Sequence, residues 1–143
     1  MLMKENPSIQ LPDIRHNLVL KAPILKVWEA VATSEGLATW FMPNDFQPKQ
    51  GHAFHLNAGG FGLSPCTVTE INPPHHLSFR WGKDWTITFE LQELDGATAF
   101  TLIHSGWKTD ETTEFGESHE VVRNRMDQGW AGLLQSLASH VEK

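Results

Sequence analysis

Eight histidines and a single cysteine are the first residues to weigh for chemistry. A metal centre needs three or four imidazole, thiolate or carboxylate groups converging on one point. His52 and His55 are three apart on an extended stretch, so their side chains leave opposite faces, and the adjacent His75 and His76 diverge for the same reason. No spacing predicts a bound metal, and no cofactor is expected. Cys66 would act as a nucleophile only with a base and an oxyanion site beside it, whereas Ser64-Pro65-Cys66-Thr67-Val68 reads as the start of an ordinary strand. Asp84, Asp95, Asp110, Glu111, Glu114 and Glu117 fall in turns and loops, and Glu90 alternates with inward Phe89 and Leu91. No carboxylate pair, nucleophile triad or phosphate loop is visible, so no catalytic residue is assigned.

The aromatic set is more informative. Six tryptophans and eight phenylalanines stand beside no tyrosine. Large rigid rings either fill a core or wall a cavity. His104 shares parity with Phe100 and Leu102 and therefore faces inward. A buried imidazole there is either a satisfied structural group or one that orients a ligand. His16, in step with Leu18 and Leu20, is a weaker candidate of the same kind.

The elements that position these rings follow from periodicity. Residues 14–20 alternate, with Ile14, Leu18 and Leu20 on one face and Arg15 and Asn17 on the other, which predicts a half-buried strand. Ala22-Pro23 stops it. Ile24, Val27, Trp28 and Val31 then mark one face of a short helix over 24–33, and residues 33–36 break it before a further helical turn over 37–41. From Gly51 the period is two, with strands over 53–56, 66–71, 77–81, 85–91 and 97–104 separated by Gly, Pro and Asp turns. Val122, Met126, Trp130, Leu133, Leu137 and Val141 recur at intervals of three and four, predicting a final helix of about six turns with one broad apolar face. That face has only the sheet to cover it. The reading is an α+β fold: a six-stranded curved antiparallel sheet around a long C-terminal helix, with two short helices between the first and second strands.

Composition bounds the rest. At 143 residues the chain makes one domain over 1–143, with residues 1–10 expected as a loosely held tail. Eleven basic residues against seventeen acidic ones give a net charge of −6, and no Lys or Arg run forms a patch. Nucleic acid and anionic membrane surfaces are therefore not expected partners. No stretch has the length of a signal peptide core or a spanning helix, and the single cysteine suits a reducing compartment, so a cytoplasmic location is expected.

Several motifs, taken in order, resemble one family. They are Ala22-Pro23 followed by Lys26-Val27-Trp28-Glu29-Ala30; Trp40-Phe41 with Pro43; Gly51 opening a strand with Phe54; and Val68-Thr69-Glu70-Ile71-Asn72-Pro73. Leu77 with Trp81, Leu102-Ile103-His104-Ser105-Gly106-Trp107, and Gly129-Trp130 followed by Leu133 and Leu137 complete the set. From about Ile14 to Val141 the chain resembles the branch named after the activators of the Hsp90 ATPase, within the START and Bet v 1-like (SRPBCC) superfamily. The resemblance implies a helix-grip fold, the same order of elements that the periodicities predict. It implies several functions: apolar ligand binding, cyclase or hydrolase chemistry, or stimulation of the Hsp90 ATPase.

The residues favour binding. A small apolar or aromatic molecule is expected between sheet and C-terminal helix, with Trp40, Phe41, Trp81, Trp107, Met126, Trp130 and Leu133 as walls and His104 as polar anchor. The polar loop 108–117 is expected to act as a movable lid. A chaperone-interaction module and a cyclase- or hydrolase-like enzyme remain the alternatives.

Overall fold

The computed structural model describes residues 11–57, 59, 62–108 and 117–143. The expected tail and most of the expected lid lie outside the described residues. Among the described residues the elements follow in the predicted order: β1 (Ile14–Leu20), α1 (Ile24–Val31), α2 (Ser34–Trp40), β2 (Ala53–Asn57), β3 (Leu63–Asn72), β4 (His76–Trp81), β5 (Trp85–Glu93), β6 (Thr98–Ser105) and α3 (His119–Val141).

The strands form a single antiparallel sheet in the order β1-β6-β5-β4-β3-β2. Registers such as Leu18 opposite Phe100, Phe89 opposite Leu102 and Phe79 opposite Ile87 put one apolar row from each strand on the inner face. The outer face is polar, with Ser78 and Thr88 hydroxyls 3.0 Å apart and His76 Nε2 2.8 Å from Glu70 Oε1. This is the alternation expected of an antiparallel sheet covered on one side.

Between α1 and α2 the break is tighter than the expected four residues. Only Ala32 and Thr33 separate the helices, and Thr33 Oγ1 accepts from the Gly36 amide at 2.9 Å, an N-cap that lets α2 begin at Ser34. Gly36 is required there because a Cβ would sit 2.2 Å from the Glu29 carbonyl oxygen, so any side chain would push the two helices apart.

The placement of α3 decides where space remains. Arg123 donates to the carbonyl oxygens of Pro12 and Asp13, Asp127 meets His16 Nε2 at 2.8 Å, and Glu142 accepts from the Lys21 amide. The helix is thus tied along much of its length to β1, one edge of the sheet. Six strands about 4.8 Å apart span about 24 Å, whereas a helix with its side chains is about 10–12 Å across. A helix held at the β1 edge cannot also cover β2 and β3.

Candidate functional site

The uncovered space is a cavity of about 470 Å³. Trp81 of β4 lies on the sheet side, and Phe41, Met42 and Pro43 come from the segment after α2. Val122, Met126, Gly129, Trp130 and Leu133 come from α3. Polar groups are few: Asn57 and Ser64, which flank the β2–β3 connection, and the pair Glu117 and Arg125. Grooves of similar size around His140 are lined by polar side chains such as Lys26, Glu29 and Thr33, which suits solvent rather than an apolar guest.

Rings hold the apolar wall in place. Phe41 stacks on Trp130 with centroids 5.2 Å apart, stacks on Trp40 at 5.3 Å, and meets Trp81 edge-on at 5.8 Å. Such offset and edge contacts are the favoured geometries for aromatic pairs. Phe41 is half-buried, while Trp40, Trp81 and Trp130 are buried. Trp40 is fixed in turn by its indole N–H, which donates to the Ala30 carbonyl at 2.8 Å.

Behind Trp130 sits His104, fully buried. The Trp130 indole donates to His104 Nδ1 at 2.9 Å. An indole nitrogen can only donate, so Nδ1 accepts and the imidazole proton resides on Nε2. Burial, reinforced by the charge of Arg123, pushes the His104 pKa down to about 3. The ring is therefore neutral at ordinary pH. Its surroundings are aromatic, with the Trp107, Trp85 and Trp81 centroids at 4.7, 5.0 and 5.9 Å. Trp107 donates from its indole to the His104 carbonyl oxygen at 3.0 Å.

A second buried histidine lies at the start of α3. His119 Nδ1 accepts from the Lys108 amide at 3.2 Å, and its Nε2 lies 3.7 Å from Asp84 Oδ2. Gly106 adopts φ +102°, and a Cβ there would lie 1.9 Å from the Asp84 carbonyl oxygen. The β4–β5 turn, the end of β6 and the first turn of α3 are thereby knitted together beneath the cavity wall.

At the cavity rim Arg125 clamps Glu117 through Nη1 and Nη2 at 2.7 and 2.8 Å. That hydrogen-bonded guanidinium holds the Glu117 carboxyl below the usual carboxylate range. Among the described residues, no group of three or more His, Cys, Asp or Glu side chains is placed to hold a metal ion. Cys66 is buried, its thiol directed at the Ser64 carbonyl oxygen.

Of the residues expected to wall the site, Phe41, Trp81, Met126, Trp130 and Leu133 line one cavity. Trp40, Trp107 and His104 stand one layer behind. Inward parity does bring His104 toward the helix, but the Trp130 ring fills the space between it and the cavity. Sequence reasoning missed Met42, Pro43, Asn57, Ser64, Val122 and the pair Glu117–Arg125. Arg125 was within reach, since it lies one residue before Met126 and four before Gly129 on the same helix.

A curved sheet gripping a long helix, with a ring-walled cavity on the helix's free side, defines a helix-grip protein of the START and Bet v 1-like kind. The chain belongs to the family described as activator of Hsp90 ATPase homolog 1-like protein, which matches residues 21–142. This is the family that the motifs resemble. Among solved structures, BH1534 of Bacillus halodurans is 50% identical, with 93% of this chain and 99% of that one covered and a TM-score of 0.85. The Aha1 dimer from Colwellia psychrerythraea is 24% identical over 92% of this chain and 97% of its own, with a TM-score of 0.74. CalU16 from Micromonospora echinospora is 20% identical over 90% of this chain and 75% of its own, with a TM-score of 0.72. The last two similarities concern the fold. No curated protein matches the chain significantly. No helix among the described residues is long and apolar enough to cross a membrane.

Proposed function

We propose that this protein binds a small apolar or aromatic molecule between β4 and α3, in contact with Phe41, Trp81, Met126, Trp130 and Leu133. The observation that carries the reading is the cavity itself, about 470 Å³ and walled mainly by aromatic and aliphatic side chains. That volume falls in the range of small-ligand sites. A guest burying roughly 300 Å² of apolar surface gains roughly 7 kcal/mol before association costs, so micromolar or weaker binding is expected. Trp40, Trp107 and His104 support the wall from behind. A cytoplasmic location belongs to the same proposal and fits the single buried Cys66.

The test is fluorescence titration with N-phenyl-1-naphthylamine, a neutral dye that brightens in apolar sites. Saturable binding that Leu133→Trp abolishes supports the reading. Dye binding untouched by a tryptophan filling the cavity counts against it.

The family match over residues 21–142 favours a second reading, an interaction with an Hsp90-type chaperone. Addition of the protein to such a chaperone, with ATP turnover followed, decides it. Stimulation supports this reading, and no binding with no change in turnover removes it.

A further inference from the structure

We propose, building on the cavity reading, that Gly129 is a specificity-determining position whose missing side chain forms a slot admitting a planar, ring-sized guest. Glycine is a poor residue for a helix interior, because it adds backbone freedom to the unfolded chain and contributes no side-chain packing. Where this fold uses glycine for steric reasons, the reason is visible: a Cβ at Gly36 would collide with backbone, and Gly106 combines a collision with a positive φ. Neither applies at Gly129. A Cβ there would meet nothing within 4 Å, and its φ is not positive.

Yet Gly129 lies in the middle of the cavity-lining stripe of α3. It follows Arg125 by four residues and Met126 by three, and precedes Leu133 by four, and all of these line the cavity. Met126 and Leu133, seven residues apart, are separated by about 10.5 Å along the helix axis. A ring standing between them needs about 7–8 Å, two carbon contact distances. The interval holds one ring when residue 129 has no side chain and is obstructed when it has one.

Gly132 provides the matched comparison. It lies on the same helix, a Cβ there would also meet nothing within 4 Å, and it does not line the cavity. Gly129→Ala and Gly132→Ala are each expected to raise the melting temperature by about 3 °C through the helix backbone. They are expected to part company in binding. The dissociation constant for N-phenyl-1-naphthylamine rises about tenfold in Gly129→Ala, the scale of one misplaced methyl group in an apolar pocket, and stays at the parent value in Gly132→Ala. Equal or tighter dye binding by Gly129→Ala overturns the slot while leaving the cavity reading intact. Failure of the parent protein to bind the dye overturns both.

Discussion

The indole N–H of Trp130 donates to Nδ1 of His104 at 2.9 Å, joining the cavity wall on α3 to the inner face of β6. This bond sets the imidazole tautomer, keeps His104 out of the cavity and fixes the plane on which Phe41 stacks. Its consequences can be measured.

Folding should become pH-dependent through His104. Its folded pKa of about 3 lies below its unfolded value of 6.5, so the unfolded chain binds the extra proton first as pH falls. The contribution of the neutral ring is fully present above pH 6.5 and is lost progressively between pH 6.5 and 3. The slope is on the order of 1 kcal/mol per pH unit. In urea denaturation across that range, His104→Gln should show a visibly shallower pH dependence than the parent. Identical slopes would refute the assignment.

Trp130→Phe keeps an aromatic ring but deletes the donor, leaving a buried imidazole acceptor without its partner. A loss of about 1–3 kcal/mol is expected. Denaturant midpoints of the two proteins check it, and a change below about 0.5 kcal/mol would mean that the bond is energetically idle.

Much of the fold is legible in the sequence because burial leaves a period. Alternation in residues 14–20 marks β1, and the three- and four-residue spacing from Val122 to Val141 marks α3. Finer placement is harder to read. On α3 the apolar stripe is in fact two: Val122, Trp130, Leu134, Leu137 and Val141 are buried, whereas Met126 and Leu133 are half-buried beside the cavity. Leu133 and Leu134 are adjacent and identical in type, so periodicity alone does not show which one faces the core. Asn57 ends β2 and Ser64 stands second in β3, in step with buried Cys66 and Val68, but neither short polar side chain signals by its type that it borders a cavity. The Glu117–Arg125 contact bridges eight residues across a helix start, a span that the usual three- and four-residue pairing rule does not cover.

Gly36→Ala and Gly106→Ala should both be strongly destabilising, by about 2 kcal/mol or more, because each new methyl meets backbone that cannot retreat. Thermal melts read the effect directly. A melting temperature within 1 °C of the parent for either variant would show that the interhelix contact or the β6 turn has slack.

Arg125→Gln, in contrast, should leave the melting temperature within about 1 °C. The Glu117–Arg125 pair is largely exposed, and such pairs contribute little to folding. A drop of several degrees at low salt would reveal a structural role at the rim.

The central claim is that a guest enters between the sheet and the free side of α3. The direct measurement is an NMR titration with N-phenyl-1-naphthylamine that follows the six tryptophan indole N–H signals and the methionine methyl groups. The account predicts saturable shifts at Trp81, Trp130 and Met126, with Trp28 on α1 unmoved. Shifts confined to the outer sheet face around His76 and Thr88, or no saturable shifts at all, would contradict it.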